Sequence, residues 1–209
     1  MADTFRPDGK PPAWCELTGF RLVTFNDASP TGFRRQAARE RLLVTASAVQ
    51  VKFRGGSQVF SERQFFDLPE GADEYLVAPV RAGAQALLLM GNWGDELGGC
   101  GIFTARNEES PQDRGDPVDY QKHTSIDSHY HDCDEYWIGL EGWGEAIVGG
   151  RLIRFGAGEC VPIRTGHHHD LPNAPEGIRA LFFETTLTGK KRVGHLWEHT
   201  HGPAVPQPE

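Results

Sequence analysis

The sequence predicts an all-β protein. Glycine and proline are frequent, with 25 and 14 of 209 residues, and they follow no collagen-like or low-complexity period. Short runs rich in β-branched and aromatic residues alternate with turn residues along the chain. Helical periodicity is scarce, and the best helix candidate, residues 34–41, would complete only about two turns. These observations favour an antiparallel sandwich or barrel.

Seven segments have the composition of β-strands, and turns rich in Gly, Pro and Asp separate them. These segments are residues 20–25, 42–53, 84–90, 136–140, 145–148, 158–163 and 178–186. Residues 105–119 lack an apolar pattern, so we expect a linker or long loop there. The chain is therefore divided into an N-terminal β region at 1–110, a second domain at 111–200, and a loose Pro-rich tail at 201–209.

A weak self-similarity at a spacing of about 95 residues leaves two architectures open. Gly55-Gly56 falls opposite Gly149-Gly150, and residues 86–89 fall opposite 180–183, each within one residue. Two tandem copies of one β unit would produce this pattern. One barrel with an N-terminal β extension is the alternative, because any glycine-rich β chain aligns with itself somewhere.

The charge distribution separates the two halves of the chain. The formal net charge is −8, which argues against nucleic acid or an anionic membrane as a partner. Residues 111–209 carry a net −6, against −2 for residues 1–110, and they also contain all nine histidines. Histidines clustered with carboxylates are the composition of a metal site.

The cysteines and the N-terminal residues bear on the compartment. The four cysteines form no C-x-x-C pair. The first ten residues lack the apolar core of a signal peptide. The longest apolar stretch, residues 86–90, is too short to span a membrane. We therefore expect a cytoplasmic protein with free thiols.

The strongest chemical signal is a pair of histidines followed by a carboxylate. His129 and His131 are two residues apart, so on a strand both side chains point to one face. Glu135 follows four residues later and can open the next strand towards the same interior. Two imidazoles and a carboxylate on one face form most of a divalent-metal site.

Two motifs in this region resemble those of the cupin superfamily. His129, His131, Glu135 and Gly142 fit the spacing of the first motif, G-x5-H-x-H-x3/4-E-x6-G. The second motif, G-x5-P-x-G-x2-H-x3-N, is fitted by Gly158, Gly166, His169 and Asn173. The sequence departs from the motifs at His123, where the first Gly is expected, and at Arg164, where the Pro is expected. The match covers roughly residues 120–185.

The resemblance implies a cupin double-stranded β-helix, or jelly-roll barrel, and a homodimer. It also implies one bound divalent transition metal (Fe, Mn, Ni or Zn), with His129, His131, Glu135 and His169 as its ligands. If residues 17–105 are a first cupin copy, its metal site is lost, because Arg34, Gln36, Glu40 and Glu74 occupy the matching positions.

Other residues are expected to support such a site. Trp137 shares the face of Glu135 by parity, whereas Tyr136 points away. Carboxylates available to orient the imidazoles are those of Asp127, Asp132, Asp134 and Glu159. The candidates for a catalytic base are Glu141, His167 and Glu184. His168 should point away from the site, and His195 is expected to be an ordinary surface residue.

We expect a metal-dependent enzyme acting on a small oxygenated substrate such as a sugar, a keto acid or an enediol. The resemblance implies isomerisation or dioxygenation, and an ion with open positions suits catalysis better than a structural role. The alternative is a non-catalytic cupin that binds or senses a small molecule. A storage role is disfavoured by the intact set of ligand residues.

Overall fold

The computed structural model describes residues 4–209, and β-strands dominate it. The strands are β1 (Leu17–Phe25), β2 (Thr31–Arg34), β3 (Arg39–Ala46), β4 (Ala48–Phe53), β5 (Gly56–Ser61), β6 (Phe65–Asp67), β7 (Glu74–Pro79), β8 (Ala84–Gly91), β9 (Leu97–Ala105), β10 (Glu135–Val148), β11 (Arg151–Gly156), β12 (Cys160–Ile163), β13 (His169–Asn173) and β14 (Ile178–Thr186). One short helix, α1 (Glu198–His201), follows them. The predicted all-β class is confirmed.

The chain forms two compact units. One comprises residues 17–92, and the other comprises residues 4–16 and 93–209. These units do not follow the boundary drawn at residue 110 from the sequence. The difference arises because β9 pairs along its length with β14, which places residues 97–105 in a sheet of the second unit.

The first unit contains two four-stranded antiparallel sheets. Their strand orders are β1-β8-β3-β6 and β2-β7-β4-β5, which is the strand order of a jelly roll. An aromatic cluster fills its core, where the ring of Phe66 lies 5.0–6.1 Å from those of Phe53, Phe60 and Tyr75. The two sets of sheets in the chain correspond to the tandem arrangement, although the origin of the first unit as a degenerate cupin copy stays a prediction.

The residues expected to form a short helix connect two strands instead. Strand β2 ends at Arg34 and β3 begins at Arg39. Between them, the guanidinium group of Arg35 donates hydrogen bonds to the carbonyl oxygens of Ala38, Pro69 and Ala72. A segment this short forms too few helical hydrogen bonds to offset the free-energy cost of helix nucleation, so tertiary contacts decide its conformation.

Strand β10 organises the second unit. Its first half, starting at Glu135, pairs with β12 and β14, and its second half, ending at Val148, pairs with β11 and β13. The sheet order is β11-β10-β14-β9. Trp137, Phe155 and Ile163 belong to a buried core between these strands.

Both ends of the described chain pack into the second unit. Phe5 forms an antiparallel bridge with Cys160, and the Glu16 carboxylate accepts hydrogen bonds from Thr186. Hydrogen bonds hold the C-terminal residues, which were expected to be a loose tail: the Tyr130 hydroxyl donates to the carbonyl of Gly202, and Gln207 N donates to that of Thr165. Contacts with residues far away in the sequence thus position a segment whose composition suggested mobility.

Two further sequence expectations concern thiols and membranes. No disulfide bond joins the four cysteines, all of which lie in the described residues. Within residues 4–209, no helix has both the length and the apolar character needed to cross a membrane.

Candidate metal centre

Four side chains of the second unit converge on one buried point. They come from three places in the fold: the segment before β10, which carries His129 and His131, the first residue of β10, Glu135, and the first residue of β13, His169. An antiparallel bridge between His129 and His169 joins two of these places. One potential ligand atom from each residue lies within 4.8 Å of all the others. The four residues implied by the two motifs are therefore brought together.

The three imidazoles are oriented by backbone carbonyls. Nδ1 of His129 lies 2.7 Å from the carbonyl oxygen of Asp127, and Nδ1 of His169 lies 3.0 Å from that of His167. Nδ1 of His131 lies 3.3 Å from the carbonyl oxygen of Gly194. Because a carbonyl can only accept, each contact favours the Nδ1–H tautomer and leaves the Nε2 lone pair free for a metal.

The carboxylates expected to orient the imidazoles have other partners. Asp127 acts through its backbone carbonyl and not its side chain. Asp132 accepts a hydrogen bond from Lys190 N, Asp134 pairs with Arg164, and Glu159 pairs with Arg6. The backbone performs the orienting role that the sequence suggested for acidic side chains.

Two atoms of the cluster have no hydrogen-bond partner. These are Nε2 of His169 and Oε2 of Glu135, both fully buried, and they lie 2.7 Å apart. Nε2 of His131 is 3.2 Å from the same carboxylate oxygen and 3.1 Å from Nε2 of His129. Buried polar atoms without partners are costly, and a bound cation would satisfy all of them together. Three imidazole nitrogens and one carboxylate oxygen form a donor set that fits a divalent transition metal.

The electrostatics of the cluster favour an ionised Glu135 beside a neutral His129. Burial alone would raise the pKa of Glu135, but the neighbouring charges of His131 and His169 hold that pKa well below its usual range. Burial, reinforced by the nearby His169 and His131, lowers the pKa of His129 well below its ordinary value. An ionised Glu135 beside a neutral His129 is the protonation state that a metal requires of its ligands.

Trp137 and Glu184 lie beside the cluster on neighbouring strands. Nε1 of Trp137 donates a 2.8 Å hydrogen bond to Oε1 of Glu135, as its shared face predicts. Glu184 lies directly opposite Glu135 in the β10–β14 register, and its Oε1 is 3.8 Å from Nε2 of His131. Burial, together with the charge of Glu135, raises the pKa of Glu184 to about 7.

A cavity of about 470 Å³ opens on the cluster. Its lining includes His129, Glu135 and Glu184, while most of the remaining wall is apolar. Among the catalytic candidates from the sequence, only Glu184 lines this cavity.

Glu141 and His167 are not brought to the cluster. Glu141 is exposed and pairs with Arg179 at 3.2 Å. A register shift between Gly139 and Glu141 in the β10–β14 ladder breaks the parity that would have placed it on the face of Glu135. The ring of His167 is held at the surface by the carbonyl of Gln207.

His168 points away from the cluster, as its parity predicts. Its Nε2 lies 3.0 Å from the carboxylate of Asp116, which also accepts hydrogen bonds from His199.

Arg164, which stands where the second motif has a proline, has a structural role. Its guanidinium group donates hydrogen bonds to Asp134 and to the carbonyl oxygen of Trp14.

Two residues near the centre were not assigned to it by the sequence: His195, which was expected to be an ordinary surface residue, and Cys133. His195 stacks on His129 with ring centroids 3.8 Å apart and an 8° interplanar angle, and it lines the cavity. Cys133 forms a second buried group with His131 and Glu184. Neither belongs to a regular strand, so periodicity gave no signal for them.

The matching positions of the first unit lack a metal-binding arrangement. Arg34 and Glu74 form an exposed ion pair. Glu40 is buried and accepts hydrogen bonds from the backbone of Gln36 and from Tyr75. Their chemistry is that of ordinary structural contacts.

Comparison with known proteins agrees with this architecture. A model of the cupin domain family matches residues 118–185. The chain is 49% identical over 206 residues to the "uncharacterized protein y4oW" of Sinorhizobium fredii, covering 98% of this chain and 94% of that protein.

Solved structures show the same fold at low sequence identity. AerE from Microcystis aeruginosa has a TM-score of 0.59 at 8% identity, covering 87% of this chain and 98% of that one. A point mutant of oxalate decarboxylase OxdC from Bacillus subtilis has a TM-score of 0.57 at 9% identity, covering 94% and 79%. The chain therefore contains a cupin domain over residues 118–185, and its jelly-roll sheets have the fold of these solved structures.

Proposed function

We propose that this protein is a divalent-metal-dependent cupin enzyme that acts on a small oxygenated substrate by isomerisation or dioxygenation. One observation carries the proposal. Three imidazoles, each held through Nδ1 by a backbone carbonyl, aim Nε2 at a buried carboxylate beside an open cavity. A purely structural cluster has no need of a cavity of this size next to its ligands.

His129, His131, His169 and Glu135 would hold the ion. When bound, a divalent ion supplies a Lewis acid that polarises substrate oxygens. Trp137 fixes the rotamer of Glu135 by donating to Oε1, which leaves Oε2 directed at His131 and His169.

We assign proton transfer to Glu184. It lines the cavity, and a β-ladder fixes it opposite Glu135. In an isomerisation, its carboxylate would take a proton from a hydroxyl-bearing carbon next to a carbonyl and return it to the carbonyl carbon. The hydroxyl proton would move to the former carbonyl oxygen, so that no external reagent is consumed. A dioxygenation would instead consume O2 as a co-substrate.

Metal analysis of the purified protein tests the first part of the proposal. We expect about one divalent transition metal per chain, because one cluster of four ligands is formed. Elemental analysis before and after incubation with Fe, Mn, Ni or Zn measures it. A protein that contains none of these ions and takes up none would contradict the proposal.

The reaction class is tested with the metal-loaded protein and a panel of diketones, enediols and sugars. Oxygen consumption identifies a dioxygenase, and interconversion of isomers without oxygen uptake identifies an isomerase. Ligand-induced thermal shifts with no turnover of any panel member would favour the non-catalytic binding protein instead.

Replacing Glu184 with Gln is expected to lower kcat by about 100-fold or more while the metal content stays unchanged. The amide keeps the shape of the side chain but cannot accept the proton. Glu141→Gln is the matched control, since Glu141 is exposed and paired with Arg179, and its kcat should equal that of the wild type. Equal losses in both variants, or none in Glu184→Gln, would remove Glu184 from the reaction.

Homodimer formation is part of the same proposal and is checked by light scattering. We expect twice the chain mass of 23.1 kDa. A particle with the mass of one chain would overturn this expectation.

A further inference from the structure

The inner face of the cavity consists of two rows of different chemistry. In the β10–β14–β9 ladder, Glu135 lies opposite Glu184, which lies opposite Gly99. Two residues further along, Trp137 lies opposite Phe182, which lies opposite Gly101. Alternate residues of a strand share a face and lie about 7 Å apart. A polar row at the metal ligands is therefore followed by an aromatic row about 7 Å away.

Strand β9 leaves the room for this arrangement because it is rich in glycine. A methyl group at Gly101 would lie 2.7 Å from the ring of Phe182, and one at Gly98 would lie 2.6 Å from Oε2 of Glu184. The glycines thus let both large side chains of β14 lie over β9.

Apolar side chains extend the aromatic row towards solvent. Phe103 packs against Trp137 with ring centroids 5.5 Å apart, and Ile126 and Val193 complete this wall. Phe103, Ile126 and Phe182 are only partly buried. Partly exposed apolar side chains around a cavity are available to cover an apolar ligand.

Away from the metal ligands, the described lining offers no cationic partner to an anionic group. Within the described residues, the cavity lining contains two carboxylates and no arginine or lysine. A substrate carboxylate held away from the ligands would have no cationic partner. Sugar hydroxyls facing the aromatic row would lose their hydrogen bonds to water without replacement.

We infer that the substrate has an uncharged, apolar, ring-bearing body and two neighbouring oxygen atoms at one end. The oxygens lie at the polar row, and the body lies against Trp137, Phe182 and Phe103. The inference rests on the proposed function and narrows it, because it favours a molecule with an apolar body over polyol sugars and small keto acids, which lack one.

Two hydroxamates that differ only in their body test the inference. Benzohydroxamate and acetohydroxamate present the same pair of oxygens, and oxalate presents oxygens with two negative charges. Calorimetric titration of the metal-loaded protein should show benzohydroxamate binding at least about tenfold more tightly than either of the others, because it buries a ring.

A variant locates the origin of this preference. Phe182→Ala should remove most of the tenfold difference while acetohydroxamate binds as before, and Phe182→Leu should retain part of it. Phe103→Ala should act in the same direction and serves as a second variant if Phe182→Ala does not fold.

The outcomes distinguish a failure of the inferred substrate class from a failure of the proposed metal-dependent function. If acetohydroxamate or oxalate binds as tightly as benzohydroxamate, the inferred substrate class is wrong while metal-dependent ligand binding stands. A preference for benzohydroxamate that survives in both alanine variants also overturns the inference. If the protein takes up no metal and binds neither hydroxamate, the proposed function itself fails and the inference falls with it.

Discussion

Replacing His131 with Ala is expected to weaken metal binding by at least about 100-fold and to leave the fold intact. Its Nε2 is central to the cluster, at 3.1 Å from Nε2 of His129 and 3.2 Å from Oε2 of Glu135. The variant retains two imidazoles and one carboxylate, which is one donor fewer than the complete set. Metal content after dialysis measures the loss, and circular dichroism checks the fold.

His167→Ala is the matched control for this experiment. His167 belongs to the run of three histidines that contains His169, but its ring contacts the carbonyl of Gln207 at the surface. This variant should keep the metal content of the wild type. Full occupancy in His131→Ala, or a comparable loss in His167→Ala, would contradict the ligand assignment.

Replacing Gly142 with Ala is expected to lower the free energy of unfolding by about 3 kcal/mol or more. Gly142 has φ +69°, a conformation that costs other L-residues roughly 1–2 kcal/mol. A Cβ at this position would also lie 2.0 Å from the carbonyl oxygen of Gly177. Because that oxygen belongs to the backbone, the strands must move, which adds roughly 1–3 kcal/mol. Urea-induced unfolding measures the change.

Gly150→Ala separates the conformational cost from the steric one. Gly150 has φ +78°, and a Cβ there would meet no atom within 4 Å. This variant should therefore lose only the roughly 1–2 kcal/mol of backbone strain. If Gly142→Ala is no less stable than Gly150→Ala, the close approach to Gly177 is not what requires the glycine that ends the first motif.

Local spacing predicted the residues whose positions depend on regular strands. The period of two places Trp137 on the face of Glu135 and turns Tyr136 away, and the structure agrees: Trp137 donates to Glu135, while Tyr136 contacts Glu16. The two cupin motifs added His169, which spacing alone could not have joined to His129 across about 40 residues.

The remaining features depend on irregular backbone. Glu141, a candidate catalytic base, lies away from the cluster because the ladder shifts register just before it. His195 lies in a segment without strand or helix, so no periodic pattern indicates where its ring points. The groups that contact the Nδ1 atoms are backbone carbonyls, which every residue has, so the sequence does not show which of them will do so.

In the fold too, local sequence patterns predict some features, and contacts between distant residues determine others. The all-β class follows from composition and alternation, whereas the conformation of residues 35–38 depends on carbonyls contributed by Pro69 and Ala72. Contacts between residues far apart in sequence decide such segments, and propensity is too weak to oppose them.

The positions in the sequence of the three carbonyls that contact Nδ1 imply an order in which the histidine cluster is completed during folding. His129 and His169 are each held by a residue two positions earlier, so their orientation can form as soon as those short segments fold. His131 is held by Gly194, next to the bridge between Tyr130 and Leu196. During synthesis the ribosome releases that segment some 60 residues after His131. A nascent chain therefore lacks the carbonyl that orients His131 until these late residues dock, so the cluster is completed only when the C-terminal segment folds onto it.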